Sequence, residues 1–146
     1  MQIRNMLASD YDRVYELWMN MPGMGLNDID DSREGIEKYL RRNPSTCFVA
    51  EHDGAIVGVI LSGHDGRRGY IHHTAVSVGL WKTGIGTALV NHAMEALKRE
   101  GINKAALVVF RENEVGNTFW ENRGFSVRPD LIYRNKNIRE LKRIDT

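Results

Sequence analysis

The stretch WKTGIGTALV, residues 81–90, sets two glycines two positions apart between a strand-like run and a helix-like one. Glycine in a helix interior costs roughly 1 kcal/mol against alanine, so Gly84 and Gly86 at a helix start need a reason other than propensity. Close backbone approach is such a reason, and phosphate is the first ligand to consider. A strand-to-helix junction offers unpaired N–H groups and the positive end of a helix dipole. Two familiar motifs are excluded. Leu89 stands where a dinucleotide fingerprint needs its third glycine, and in GLWKTGIG residues Ile85 and Gly86 stand where a P-loop needs Lys and then Ser or Thr. The competing explanation is that the glycines only permit tight packing of helix on sheet.

The rest of the chain limits what else can bind. With 146 residues it has the length of one domain with its own core. The 20 Lys and Arg nearly cancel the 19 Asp and Glu, leaving a net charge of +1. There is no bulk field for nucleic acid or an anionic membrane, so anion binding must be local. Cys47 is the single cysteine, which excludes an intramolecular disulfide and a CxxC site and fits a reducing compartment. No apolar run approaches a membrane span and the charged N-terminus has no signal-like core, so a cytoplasmic location is expected.

The order of elements then carries the fold. QIRNML reads as a strand, and SDYDRVYELWMN as a helix capped by Ser9 or Asp10. After the loop MPGMGLNDID, Asp31 and Glu34 form a capping-box start for DSREGIEKYLRR, which Pro44 closes. Strands are predicted over Cys47 to Glu51, Ile56 to Ser62 and Gly69 to Val78, joined by Asp-Gly turns. GIGTALVNHAMEALKREG is a helix stopped by Gly101, and KAALVVF a continuous apolar strand of the doubly covered kind. A short helix over NEVGNTFWENRG and a closing hairpin of FSVRP with LIYRNK complete the chain. The expected class is α/β: a mixed, mostly antiparallel sheet of about six or seven strands with helices on both faces.

These residues carry a resemblance. TAVSVGLWKTGIGTALV resembles motif A of the GNAT superfamily of acetyl-CoA-dependent N-acetyltransferases, whose signature is Arg/Gln-x-x-Gly-x-Gly/Ala after a bulged strand. Asn113 with EVGNTFWENRGF is similar to the family's Asn-x-x-Ala/Gly-x-x-apolar-Tyr-x-x-x-Gly-Phe segment, with Gly116, Phe119, Gly124 and Phe125 in register. The resemblance implies one N-acetyltransferase domain over residues 1–146, with a splayed parallel pair of strands around Val76 and Val108 admitting the donor. It implies that the backbone of residues 74–78, including Ala75, Val76 and Val78, pairs with pantetheine. It also implies that Lys82, Thr83, Gly84, Ile85, Gly86 and Thr87 hold the pyrophosphate, and that Asn113 and Trp120 lie against the donor. A β-bulge would aim a strand N–H at the acetyl carbonyl. Two departures stand out. Trp81 replaces the Arg/Gln, leaving Lys82 to supply charge, and Trp120 replaces the tyrosine that in relatives often reprotonates the thiolate. An indole N–H is not a practical proton source, so Tyr133 or water is the candidate acid.

Amine acetylation also needs a proton acceptor, and histidine suits it. Strand alternation places Tyr70, His72, Thr74 and Val76 on one face and Ile71, His73 and Ala75 on the other, so one histidine alone should face the cleft. Arylalkylamine acetyltransferases of the same superfamily carry histidines at the parity of His72, which is the preferred base. Its alternative is a surface or structural role. His64 is a weaker candidate, His52 and His92 read as exposed, and Cys47 as a buried apolar residue. Asn27, Asp28, Asp30 and Asp31 lack the Gly and Glu of a calcium loop. They stand in the segment that, by the resemblance, walls the acceptor site, where carboxylates would favour a cationic amine. Arg67 and Arg68 read as a solvated hairpin tip, and the basic tail RNKNIRELKRIDT as an edge cover or a homodimer contact. The expected reaction is direct acetyl transfer from acetyl-CoA to an amine. The alternatives are a non-catalytic acyl-CoA-binding or regulatory module, and a protein that binds ATP or NAD at the glycine turn.

Overall fold

In the computed structural model, residues 1–144 are described. The elements run β1 (Gln2–Asn5), α1 (Tyr11–Met19) after a 3-10 turn at Ala8–Asp10, α2 (Arg33–Arg42), β2 (Phe48–His52), β3 (Ala55–His64), β4 (Gly69–Val76), α3 (Ile85–Arg99), β5 (Ala105–Ala106) and α4 (Glu114–Asn122). The strands lie in sequence order in one sheet. β1 to β4 are antiparallel neighbours, while β5, reached through the α3 crossover, is parallel to β4.

Alternation along β2 divides the core between the two faces of the sheet. Val49 packs with Val14, Trp18, Ile36 and Leu40 of α1 and α2, whereas Phe48 and Ala50 pack with Leu89, Val90 and Ala93 of α3. Helices therefore cover both faces, as expected. No helix among the described residues is long and apolar enough to cross a membrane.

Three expectations need correction. Among the described residues the sheet has five strands rather than six or seven. KAALVVF contributes two strand residues, and Val108 and Phe110 beyond them are exposed instead of doubly covered. The expected closing hairpin contains no strand, with Val127, Ile132 and Ile138 exposed. The reason is a missing template: β5 pairs with β4 at only two positions and offers no edge on which a hairpin can extend. The chain end docks elsewhere. Asp28 N–H donates to the Lys142 carbonyl (2.9 Å), Lys142 N–H to Asp28 Oδ1 (2.8 Å) and Ile144 N–H to the Leu26 carbonyl (3.1 Å), so the tail straps the loop between α1 and α2.

The entry to α1 rests on one carboxylate. Asp10 is buried and accepts from both terminal nitrogens of Arg4 and from Arg13, each at 2.8 Å, and from the Leu7 N–H at 2.8 Å. Burial alone would raise its pKa, but the bonds from Arg4 and Leu7 and the two guanidinium charges outweigh it and hold the carboxyl below the ordinary range. A depressed folded value means that the contribution is complete above the unfolded pKa, near 4, and is lost as pH falls through the folded value. Asp10→Asn should lower stability at neutral pH by about 2 kcal/mol and flatten the decline of the urea midpoint below roughly pH 4. Equal acid slopes for the two proteins would remove Asp10 from this role.

Candidate active site

β4 and β5 pair only as Gly69 with Ala105 and Tyr70 with Ala106, and beyond Tyr70 no ladder joins them. An open cleft of about 1830 Å³ follows β4 from this fork. One wall is the loop after α1 together with α2, the other is residues 107–110 with α4, and the glycine turn closes one end.

The two glycines of that turn have different physical causes. Gly84 caps α3 at φ +93°, in the left-handed region, and a Cβ there would meet nothing within 4 Å. Its requirement is torsional. Gly86 is a matter of space, since a Cβ would lie 2.9 Å from the Phe119 ring. Packing thus accounts for Gly86 and turn geometry for Gly84. Lys82 also has positive φ, +66°. With the chain turned this way, the N–H groups of residues 82–87 have no partner among the described residues. Ile85 is buried and can offer only its backbone, and the Thr83 hydroxyl donates to the Leu80 carbonyl at 2.5 Å.

A cation joins this row from a residue that sequence reasoning missed. Arg123, at the end of α4, donates to Thr87 Oγ1 through Nε (3.0 Å) and Nη2, and its guanidinium lies 4.3 Å from the Phe119 ring centroid. Its only sequence signal was its place before Gly124, which says nothing of reach to α3. Trp81 has a structural role, as its Nε1–H donates to the Val76 carbonyl at 2.8 Å and closes the turn after β4.

The histidines are arranged by a bulge. Val59 is opposite Ala75 and Leu61 opposite His72, so β4 spends one residue more than β3 across this interval, and His73 takes φ +43°. The expected strict alternation fails here, and both histidines border the cleft. His72 has ring contacts with Tyr39 (5.9 Å) and Tyr70 (4.6 Å). It is open to solvent in the cleft, yet enclosure by the walls, and then His73, press its pKa down to about 4. The ring is neutral at physiological pH. His73 Nε2 is 2.8 Å from Asp31 Oδ1, and its carbonyl accepts from Trp18 Nε1 at 3.0 Å.

Asp31 is not the expected cap. Ser32 caps α2 by accepting the Gly35 N–H at 3.0 Å, while buried Asp31 also takes the Asn27 N–H at 2.8 Å, and its carbonyl takes the Tyr11 hydroxyl at 2.7 Å. This clasp ties the loop to the bulge. Beside it, the Thr74 hydroxyl is enclosed without a partner.

Over residues 11–125 the sequence matches the family described as the acetyltransferase (GNAT) family. The chain belongs to the GNAT acetyltransferase family. It is 32% identical to an acetyltransferase of Pectobacterium atrosepticum, over 78% of this chain and 79% of that one. It is 28% identical to an acetyltransferase of Yersinia enterocolitica, over 90% and 92% of the two chains. The fold resembles that of Ard1 from Thermoplasma volcanium, with a TM-score of 0.77 at 20% identity over 87% of this chain and 83% of that one. It also resembles the PaiA N-acetyltransferase of Thermoplasma acidophilum, solved in complex with coenzyme A, with a TM-score of 0.73 at 21% identity over 87% and 90% of the two chains.

In this GNAT chain most of the residues singled out by sequence border one cleft: His72, Ala75, Val76, Lys82, Gly84, Gly86, Thr87, Asn113, Trp120 and Tyr133. Thr83, Val78 and Ile85 do not line it, and Val78 is exposed. Asn113 caps α4, its Oδ1 accepting the Gly116 N–H at 2.9 Å. Trp120 lies edge-on to Phe119 and Phe125, at 5.0 and 5.1 Å. Tyr133 is exposed and near Tyr70, whose pKa rises through burial and then through Tyr133. Cys47 is buried, its thiol pushed up to about 12 by burial, and is inert. The loop carboxylates are engaged within the protein: Asp30 accepts from Asn27 Nδ2 (3.0 Å), Asp28 from Lys142 and Asp31 from His73.

The two glycines should therefore respond differently to substitution. Gly84→Asn should cost less than Gly84→Ala, because asparagine tolerates the left-handed region. At Gly86 both residues should cost about 1–3 kcal/mol, because Phe119 must move. Urea midpoints of the four variants measure this, and equal Ala and Asn penalties at Gly84 would contradict the torsional cause.

Proposed function

We propose that this chain transfers the acetyl group of acetyl-CoA directly to a primary amine. The observation that carries the reading is the row of unpartnered N–H groups over residues 82–87, set at the end of a cleft opened by the β4–β5 fork. The residues fit the donor. The helix-start N–H groups, with Lys82 and Arg123 beside them, suit a pyrophosphate. The β4 edge beyond Tyr70, which has lost its ladder, suits the amides of a pantetheine arm lying like an added strand. The enclosed Thr74 hydroxyl is a further donor beside the bulge.

The donor supplies an activated thioester. The amine lone pair attacks its carbonyl, a C–N bond forms, and the C–S bond breaks to release a thiolate. In this reading the β4 backbone near Val76 polarises the carbonyl. His72, neutral above about pH 4, accepts a hydrogen bond from the attacking nitrogen and relays the proton to cleft water. Tyr133, or a water molecule, returns a proton to the thiolate.

A second reading, a non-catalytic acyl-CoA-binding module, draws on Trp120 at the place of the usual acid. The two separate on turnover. Acetyl-CoA and CoA, but not ATP or NAD, should raise the unfolding midpoint by mass action, and an amine panel should then release free thiol. No shift with either CoA species would overturn the donor assignment, and a shift without amine-dependent thiol would favour the module.

His72→Gln should lower kcat by roughly a hundredfold with little change in the KM for acetyl-CoA. Since His72 is already neutral, the wild-type acid limb should follow ionisation of the amine rather than a histidine break near 6.5. Activity that is unchanged in H72Q and lost in Y133F would place the proton traffic on Tyr133 alone.

A further inference from the structure

We infer that the acceptor is a small amine that also carries an anionic group, a carboxylate or a phosphate, held by the basic face of α2. This rests on the acetyl-transfer reading and concerns the other end of the same cleft. Along α2, Lys38, Tyr39 and Arg42 follow helical spacing, and with neighbouring Arg41 they border the cleft. The side chains of Lys38, Arg41 and Arg42 make no ion pair or hydrogen bond among the described residues, although Glu34 and Glu37 stand one turn before Lys38 and Arg41 on the same helix. The carboxylates of this wall are, by contrast, already engaged with Asn27, His73 and Lys142. Among the described residues the wall's carboxylates keep their charge but have hydrogen-bonding partners, whereas these three cationic side chains have none.

Tyr39 fixes where that charge lies relative to the chemistry. Its ring meets His72 edge-on at 5.9 Å, so α2, which carries Lys38 beside Tyr39 and Arg42 about one turn on, comes up to the imidazole. An amine placed at His72 has these cations within the reach of a short linker. The phosphate-suited turn at 82–87 lies beyond the far end of β4, at least four strand positions away, or roughly 13 Å. The α2 face is therefore separate from the donor's phosphates. An Arg and Lys pair matches the oxygens of a carboxylate or phosphate, whereas a second ammonium group on the acceptor would be repelled.

The test uses amines of one carbon skeleton: propylamine, β-alanine, aminopropylphosphonate and diaminopropane. Calorimetric binding to the CoA-loaded full chain is read beside thiol release. The expected result is that one or both anionic amines bind at least about tenfold tighter than propylamine, with diaminopropane weakest. Which of the two is tighter tells carboxylate from phosphate. Lys38→Gln with Arg42→Gln should bring the ratio near one without changing CoA affinity, and Lys38→Glu with Arg42→Glu should favour diaminopropane. Equal affinity for propylamine and both anions would overturn the proposal, as would tightest binding of diaminopropane to the wild type. Loss of CoA affinity in K38Q/R42Q would also overturn it, assigning the face to the donor. Failure of the acetyl-transfer reading shows separately, as absence of a CoA-induced shift in the wild type or of thiol release with every amine.

Discussion

The site depends on a hydrogen-bond ladder that stops. β4 remains paired to β3 along its length but leaves β5 after Tyr70 and Ala106. An interior strand that loses one neighbour exposes backbone donors and acceptors that must find partners. Continued pairing would fill the space between the strands with a sheet, and no cleft would form. The fork leaves the backbone of β4 open to the cleft, which is what the proposed donor site requires. The α3 crossover then brings the unpartnered N–H groups of 82–87 to the end of the same edge.

The bulge at His73 is the second consequence of β4 serving both core and cleft. Its left-handed backbone is costly for a residue with a side chain and persists only where surroundings hold it. Those surroundings are identifiable. The indole of Trp18, fully buried in the core under α1, donates to the His73 carbonyl, and the buried Asp31 carboxylate faces its ring. Through Asp31 the loop after α1 is tied to the strand, and through Asp28 and Leu26 the same loop is tied to the chain end. Phe110 supports it from the opposite wall, touching the positions of Gly23 and Gly25. This wall of the cleft is thus a loop held at several points.

Much of this was legible in the sequence. Element order as far as α4, the helix start at the glycines and the inert character of Cys47 follow from spacing and composition. The two departures, Trp81 and Trp120, were visible as departures. What escaped depends on long-range geometry. Alternation assigned one histidine to the cleft because an extra residue in a strand leaves no mark on local pattern; the bulge is set by register against β3. Apolar character made KAALVVF a full strand, but a strand also needs a neighbour, and β4 turns away. Arg123 and Thr87 are 36 residues apart and meet only because α4 packs on the start of α3. The capping box at Asp31 failed for a related reason: a more demanding partner, His73 on β4, takes its carboxylate, and Ser32 is free to cap.

The charge distribution joins these parts. The whole chain is close to neutral, so no long-range field draws an anion to it. Within the cleft, however, helix-start N–H groups, Lys82 and Arg123 gather at one end, and Lys38, Arg41 and Arg42 border the α2 wall. Between them stands His72, whose enclosure keeps it uncharged. Under the proposed acetyl transfer an amine reaches the thioester only as the free base, and a neutral imidazole at the point of attack, with cations along the same wall, would disfavour its ammonium form. The carboxylates of Asp31 and Asp30, which also hold the loop, act in the opposite direction on His72, but burial and then His73 outweigh them. The contacts that shape this wall therefore use Asp31 without removing its charge, which makes its clasp on His73 a mechanical device first.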